Sequence, residues 1–298
     1  MSIESRAVTA ASPDDENLHQ PKQMLVFDID GVMTNPKNNE AHPQILHEVR
    51  QDLEAGIPVA LVTGRAFAWA SRNIIAPLSG MTAAPEALDD LLVVSEKGTV
   101  QAHHESGLWH PEIDAKLRVP EDVKDMMQRF LSYDRGGWAL DDTMFWDGEK
   151  TVMATIEKRP GVQQIDFERA QQVLVRILDE AARDYPNKFQ DLKVVQTVIA
   201  TDVEHRQGSK AYGAEQVLKW LAHKAVAPQL FVVFGDSPDD VQMAEVFIEE
   251  AETKFVYVGD RANLQQTGQE KYETVFPDAR YSAGTVEALQ HLARPDAD

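Results

Sequence analysis

Near its start the chain reads Met24-Leu25-Val26-Phe27-Asp28-Ile29-Asp30-Gly31-Val32-Met33-Thr34, an uninterrupted apolar run followed by two carboxylates and a glycine. The lack of alternation predicts a strand buried on both faces, as in parallel sheets. Ligands of such sheets bind beyond the carboxyl ends of the strands. Like charges this close repel each other unless a cation or a shared proton compensates them. The stretch therefore predicts a metal site. The alternative is a strand-to-turn junction where both aspartates only cap backbone amides.

The composition is that of a globular protein with one large domain or two domains. The chain has 298 residues, of which 43% are hydrophobic, and contains no cysteine. No apolar run approaches the ~18 residues that span a bilayer. Residues 1–20 lack the pattern of a secretory signal and predict a flexible tail, so the expected location is cytoplasmic. The lack of cysteine excludes disulfides, thiolate zinc sites and cysteine nucleophiles.

The formal charge of −20 limits the possible partners. Nucleic acids and anionic membranes both require basic patches, so neither is expected as a partner. An anionic small-molecule substrate would need local positive charge from a metal, a lysine or an arginine. The sequence leaves the oligomeric state open.

Buried-strand patterns alternate with helical patterns at both ends of the chain, which indicates βαβ units around a parallel sheet. The predicted strands span residues 24–27, 58–62, 91–94, 230–234 and 254–258. The predicted helices span residues 43–54, 66–75, 208–223 and 285–292, and a further helix follows Asp240.

The middle of the chain has a different pattern. Asp147-Gly148-Glu149-Lys150 separates two strand-like stretches, 143–146 and 151–156, and predicts a hairpin. Helices are predicted over residues 120–131 and 166–184, and a strand or bent pair of strands over 192–201. These features predict an inserted α+β unit, residues 106–205, within a core formed by residues 21–105 and 206–298.

One polar set arises at the strand ends and at the helix that follows the insert. Carboxylate oxygens suit Mg²⁺, which is usually shared with substrate phosphate oxygens. One carboxylate can attack phosphorus, and a second can protonate the leaving alcohol and later activate water. A lysine, a hydroxyl and main-chain amides can hold phosphoryl oxygens. The members of this set are Asp28, Asp30, Thr63, Lys210, Asp236 and Asp240.

Four motifs in order resemble the haloacid dehalogenase superfamily, namely Asp28-Ile29-Asp30-Gly31-Val32-Met33-Thr34, Thr63-Gly64-Arg65, Lys210 and Gly235-Asp236-Ser237-Pro238-Asp239-Asp240. The insert between the second and third motifs resembles the α/β cap of the Cof-type and sugar-phosphatase branch. That branch includes phosphatases of sucrose, trehalose and mannosyl-glycerate phosphates, and the phosphomannomutases. The resemblance implies an α/β fold, with a Rossmann-like parallel-sheet core and an inserted α+β cap.

The resemblance also implies a role for each matching residue. Asp28 would be the nucleophile and a Mg²⁺ ligand. Asp30 would be the general acid/base, with its backbone carbonyl on the metal. The superfamily's dehalogenases lack this second aspartate, whereas its phosphotransfer members have it. Thr63, Gly64 and Lys210 would bind the phosphoryl group.

In the last motif, Asp236 would ligate Mg²⁺, and Asp240 would support the metal directly or through water. Asp240 also fits a capping box with Ser237 at the N-cap, and both roles need the same geometry. The third strand ends in Glu96-Lys97-Gly98, where many Cof-type members have Asn-Gly. Lys97 and Arg65 are therefore candidate contacts to an anionic or hydroxylated substrate.

The sequence thus predicts a Mg²⁺-dependent phosphatase of a small phosphorylated metabolite, most simply a sugar phosphate, acting through an aspartyl-phosphate. One alternative is a sugar phosphomutase, which would need a cap that holds a bisphosphate. The other is a non-catalytic binding protein that kept the fold. The basic residues of the insert that could hold a bisphosphate include Lys116, Arg118, Lys124, Arg129, Arg135, Lys150, Lys158 and Arg159.

Overall fold

The computed structural model describes residues 21–132, 140–264 and 271–292. The predicted N-terminal tail and Arg135 lie outside the described residues. The strands are β1 (Met24–Phe27), β2 (Val59–Val62), β3 (Leu91–Ser95), β4 (Val100–Glu105), β5 (Leu108–Ile113), β6 (Met144–Trp146), β7 (Ala154–Lys158), β8 (Leu192–Gln196), β9 (Ala200–His205), β10 (Leu230–Gly235), β11 (Glu252–Tyr257) and β12 (Glu273–Val275).

The α-helices are α1 (Pro43–Glu54), α2 (Phe67–Ala70), α3 (Ala76–Met81), α4 (Glu121–Leu131), α5 (Gln164–Asp184), α6 (Pro186–Phe189), α7 (Lys210–His223), α8 (Val241–Phe247) and α9 (Tyr281–His291). A π-helical segment, Ser71–Ile75, joins α2 to α3, so this helical stretch extends beyond the predicted end at residue 75. Within the described ranges, no helix has both the length and the apolar character needed to cross a bilayer.

Eight strands form the large sheet, in the order β12-β11-β10-β1-β2-β3-β4-β5. β1 lies between β10 and β2 and is parallel to both, with Phe27 opposite Phe234 on one side and Leu61 on the other. The chain leaves β1 towards β2 and later returns to β10 on the opposite side. This reversal opens a crevice beyond the carboxyl ends of β1 and β10, where open α/β sheets bind their ligands.

The apolar run of β1 is buried on both faces, as predicted. Leu25 and Phe27 pack into a core beneath α1, α3 and α9. Met24 and Val26 pack into a second core beneath α7 and α8. Because helices cover both faces of the strand, every side chain must be apolar and no alternation is visible.

The end of the large sheet differs from the prediction. β4 and β5 pair antiparallel to each other, and β4 pairs antiparallel to β3, so both belong to the large sheet. The prediction assigned residues 106–113 to the insert. β5 is largely exposed and contains polar residues and a proline. It therefore lacks the continuous apolar run that predicts a buried strand.

A second, antiparallel sheet in the order β6-β7-β9-β8 forms the cap. Helices α4 and α5 pack on one face, around an apolar core that includes Val123, Leu174, Ile156 and Val203. The predicted hairpin of β6 and β7 exists, with Trp146 opposite Ile156. Its connection, however, covers residues 147–153 rather than only the predicted Asp-Gly turn. The bent-pair alternative for residues 192–201 is the observed one, because β8 and β9 are separate strands.

Candidate active site

The site lies at the carboxyl ends of β1 and β10. Asp28 follows β1, and its backbone N–H donates to the carbonyl of Phe234 at 3.0 Å. Asp236 follows β10. The parallel register therefore places both aspartates in the crevice where the strand order reverses.

A close approach explains the glycine of the first motif. Gly31 has φ +73°, a left-handed conformation that favours glycine. A Cβ at this position would lie 2.2 Å from Oδ2 of Asp236. The loop after β1 can therefore pass the Asp236 carboxylate only because residue 31 has no side chain.

Three carboxylates come together in this crevice. Ligand oxygens of Asp28, Asp236 and Asp240 all lie within 4.8 Å of one another. Burial, together with the neighbouring carboxylates, raises the pKa of Asp28 above its ordinary value and that of Asp236 to about 7. A hard divalent cation binds oxygen ligands, and its charge offsets the repulsion between neighbouring carboxylates. This set of three carboxylates therefore fits Mg²⁺.

Asp240 and Ser237 form the predicted capping box. Ser237 is the N-cap of the 3₁₀ turn Pro238–Asp240, which precedes α8. Its Oδ2 accepts the backbone N–H groups of Asp236 and Ser237 at 3.1 and 3.0 Å, and the Ser237 hydroxyl at 2.9 Å. Its Oδ1 lies 2.8 Å from Nζ of Lys210. One oxygen therefore orders the loop while the other faces the site.

Lys210 is the first residue of α7, whose N-cap is Ser209. Its Nζ lies 2.6 Å from Oδ1 of Asp28 and donates to the carbonyl of Val62 at 2.9 Å. Burial alone would lower the pKa of Lys210, but Asp240 and Asp28 outweigh burial and raise it. The lysine therefore remains protonated and supplies positive charge next to Asp28 in a strongly acidic protein.

The turn after β2 faces the same crevice. Thr63 is fully buried, and its Oγ1 accepts the backbone N–H of Arg65 at 3.0 Å. The carbonyl of Thr63 accepts the N–H of Lys97 at 3.0 Å. The carbonyl of Gly64 accepts a hydrogen bond from Lys150 of the cap. This turn is therefore fixed by the third strand's loop and by the cap.

The two predicted substrate contacts are both engaged in ion pairs. Lys97 Nζ lies 2.7 Å from Glu204 and 3.8 Å from Asp202, both on cap strand β9. Arg65 pairs with Asp30 at 2.8 Å and with Glu157 of β7 at 3.5 Å. Burial would lower the pKa of Arg65, but Asp30 outweighs burial and raises it.

Sequence reasoning missed the acidic residues that bind the cap to the core. Glu96 is 1% exposed and accepts hydrogen bonds from the segment that precedes β7. Burial raises the pKa of Glu204, although Lys97 opposes this effect. The unusual Glu96-Lys97 pair was the available signal, but its partners lie far away in the sequence.

Residues 25–248 match the model of the family described as haloacid dehalogenase-like hydrolase. A sequence search of curated proteins finds no significant match. The structure is similar to that of a haloacid dehalogenase-like hydrolase from Bacteroides thetaiotaomicron, with TM-score 0.57 and 15% identity over 91% of this chain and 99% of that chain.

Two sugar-phosphate phosphatases also have similar structures. The C-terminal domain of C. albicans trehalose-6-phosphate phosphatase has TM-score 0.57 and 13% identity over 93% of each chain. The sucrose-phosphatase of Synechocystis, solved with sucrose and phosphate, has TM-score 0.52 and 15% identity over 91% of this chain and 98% of that chain. These similarities show a common fold, and the family match covers most of the sequence. The chain belongs to the haloacid dehalogenase-like hydrolases.

Proposed function

We propose that this hydrolase is a Mg²⁺-dependent phosphatase of a small phosphorylated metabolite, specifically a sugar phosphate. The observation that carries the proposal is the contact of Lys210 Nζ with both Asp28 and Asp240, beside Asp236 at the crevice. Family membership supports hydrolysis. The trehalose-6-phosphate and sucrose phosphatases among the similar structures support a sugar-phosphate substrate.

The side chains of Asp28, Asp236 and Asp240 would hold the metal, together with the backbone carbonyl of Asp30. When bound, Mg²⁺ would offset the negative charge of the phosphoryl oxygens. The capping contacts of Asp240 fix its carboxylate before any ligand arrives. These residues supply oxygen ligands that are already ordered, which lowers the cost of binding.

Asp28 and Asp30 would divide the chemistry between them. A carboxylate oxygen of Asp28 attacks phosphorus, and the bond from phosphorus to the leaving oxygen breaks. Asp30 gives its proton to that oxygen, so the alcohol leaves uncharged. The Asp30 carboxylate then takes a proton from water as the water attacks the aspartyl-phosphate. Inorganic phosphate leaves, and both aspartates are restored.

Thr63, Gly64 and Lys210 would bind the phosphoryl group. Because Thr63 Oγ1 already accepts a hydrogen bond from the Arg65 N–H, its own O–H can donate to a phosphoryl oxygen. Lys210 brings a protonated ammonium next to the attacking carboxylate. Such preorganised donors stabilise the charge of the transferring group.

The contacts of three cap cations support a phosphatase over a phosphomutase. A mutase would need free cap cations for the second phosphate of a bisphosphate. Lys124 donates to the carbonyl of Thr151, Lys150 to that of Gly64, and Arg159 to that of Asp141. A mutase would be stimulated by a sugar bisphosphate, whereas we expect no stimulation.

The proposal is tested by phosphate release from a panel of sugar phosphates and phosphoglycerates, with and without Mg²⁺. We expect metal-dependent release from a sugar phosphate that is abolished in Asp28→Asn. Asp239→Asn is the matched control, because Asp239 is exposed on the same loop as Asp240. Absence of release from every compound, with Mg²⁺ still bound, would contradict the phosphatase.

We also propose a division into core and cap in which the cap begins after β5 rather than at residue 106. This boundary follows the pairing of β5 with β4. The cytoplasmic location and the absence of nucleic-acid and membrane partners remain predictions from sequence.

A further inference from the structure

Arg65 donates hydrogen bonds to the carboxylate of Asp30 through two of its nitrogen atoms. Nε lies 3.1 Å from Oδ1 and 3.0 Å from Oδ2, and Nη2 lies 2.8 Å from Oδ1. The planar guanidinium fork fixes the plane and direction of a carboxylate, which a lysine ammonium cannot do. The Asp30 side chain is 38% exposed, so burial alone would not hold it in one orientation.

The guanidinium is in turn held from other directions. Arg65 is only 8% exposed. Its Cζ lies 4.8 Å from the centre of the Trp69 ring, which covers it from the side of α2. Its Nη1 lies 3.5 Å from Oε1 of Glu157, a residue of cap strand β7. Arg65 therefore connects the loop after β1 to the cap.

The positive charge of Arg65 is already paired with carboxylates of the protein. Two carboxylates and an aromatic ring surround the guanidinium, so a substrate anion would have to displace one of them. The direct partner of Arg65 is instead Asp30, the proposed acid/base. We infer that Arg65 is a positioning residue that aims Asp30 at the leaving oxygen, and that Glu157 makes this alignment depend on the seated cap.

The inference rests on the proposed phosphatase function and has a specific kinetic consequence. Proton donation matters more when the leaving group is a strong base than when it is an acidic phenol. Losing the alignment of Asp30 should therefore reduce activity most towards esters with poor leaving groups. A residue that only stabilised the fold would affect all esters equally.

The experiment compares kcat/KM for phenyl phosphate, whose leaving phenol has a pKa of about 10 like that of tyrosine, with kcat/KM for p-nitrophenyl phosphate, whose phenol is more acidic. In Arg65→Lys we expect kcat/KM for phenyl phosphate to fall roughly ten-fold more than for p-nitrophenyl phosphate. Glu157→Gln should show a smaller loss with the same selectivity. Asp30→Asn provides the pattern expected for complete loss of the acid.

Arg72→Lys is the matched control, because Arg72 also joins core to cap, through Glu149, but contacts no aspartate of the site. Equal losses on both esters in Arg65→Lys and Glu157→Gln would overturn the inference. If Arg65→Lys fails to fold, Glu157→Gln alone decides. If wild type and Asp28→Asn release equally little phosphate from both esters, the phosphatase proposal itself fails.

Discussion

The backbone N–H and the hydroxyl of Thr151 both donate to Oε1 of Glu96, at 2.8 Å each. The other oxygen of Glu96 accepts the N–H groups of Val152 and Met153, at 2.9 and 2.8 Å. A single carboxylate from the loop after β3 therefore binds the chain where it enters cap strand β7. Glu96 has φ +48°, so this loop adopts an unfavourable left-handed conformation to reach the cap.

Glu96→Gln should destabilise the protein. An amide nitrogen would replace one acceptor oxygen and face N–H or O–H donors of residues 151–153, at a cost of about 1–3 kcal/mol. The measurement is urea unfolding. Glu112→Gln, on exposed strand β5, is the control and should unfold like wild type. Equal midpoints for wild type and Glu96→Gln would contradict this reading of the contact.

Gly31→Ala should weaken Mg²⁺ binding. Its Cβ would meet Oδ2 of Asp236 at 2.2 Å and displace a proposed metal ligand. Gly56→Ala is a closely matched control, because Gly56 also has φ +73° but a Cβ there would meet nothing within 4 Å. Both variants carry the backbone cost of a left-handed alanine, of order 1 kcal/mol. Titration calorimetry should show weaker Mg²⁺ binding in Gly31→Ala but not in Gly56→Ala. Unchanged Mg²⁺ affinity in Gly31→Ala would show that the loop after β1 moves and leaves the Asp236 carboxylate in place.

Lys210→Met should destabilise the fold as well as abolish phosphate release. Without the ammonium, Asp28 and Asp240 remain buried and uncompensated, and breaking such a buried pair costs about 3–5 kcal/mol. Lys219→Met, on the same helix, removes a cation that contacts no carboxylate of the site and should have little effect. The measurement is denaturant unfolding without metal. A fully stable Lys210→Met protein would show that the carboxylates simply take up protons.

Stabilisation by Mg²⁺ should grow with pH. Burial and Asp240 raise the pKa of Asp236 to about 7, so the contribution of this group to stability without metal is present at low pH and is lost as pH rises through about 7. Metal binding requires the deprotonated carboxylates that protons would otherwise occupy. Thermal unfolding at pH 5 and pH 8 should therefore show the larger Mg²⁺-induced rise in Tm at pH 8. A larger rise at pH 5 would contradict the assignment of Asp236 as a ligand.

The core strands were predictable because burial on both faces leaves a continuous apolar run, as in Met24–Phe27. The Asp240 capping box was predictable because its parts lie within four consecutive residues. In the sequence, Lys210 cannot be told apart from a solvent-exposed lysine near the start of a helix. Only its place in the order of the four motifs identified it as a site residue.

Other contacts depend on tertiary structure that no local pattern encodes. Arg65 finds Asp30 and Glu157 only after β1, β2 and a cap strand are in place. The partners of Glu96 lie 55 to 57 residues away. β5 escaped prediction because it is exposed and contains Pro111, and strand patterns are readable chiefly where burial enforces them.

The position of β1 in the sheet has a consequence for how the protein is made. β1 pairs with β10, whose first residues leave the ribosome long after Met24. Until then, this fully apolar core strand presents a bare edge, and such edges invite pairing with other chains. The cap is synthesised entirely within this interval. The nascent chain must therefore keep β1 to β5, five of the eight strands of the large sheet, from aggregating while a complete second unit emerges, and Asp28 meets Asp236 only after the cap has been made.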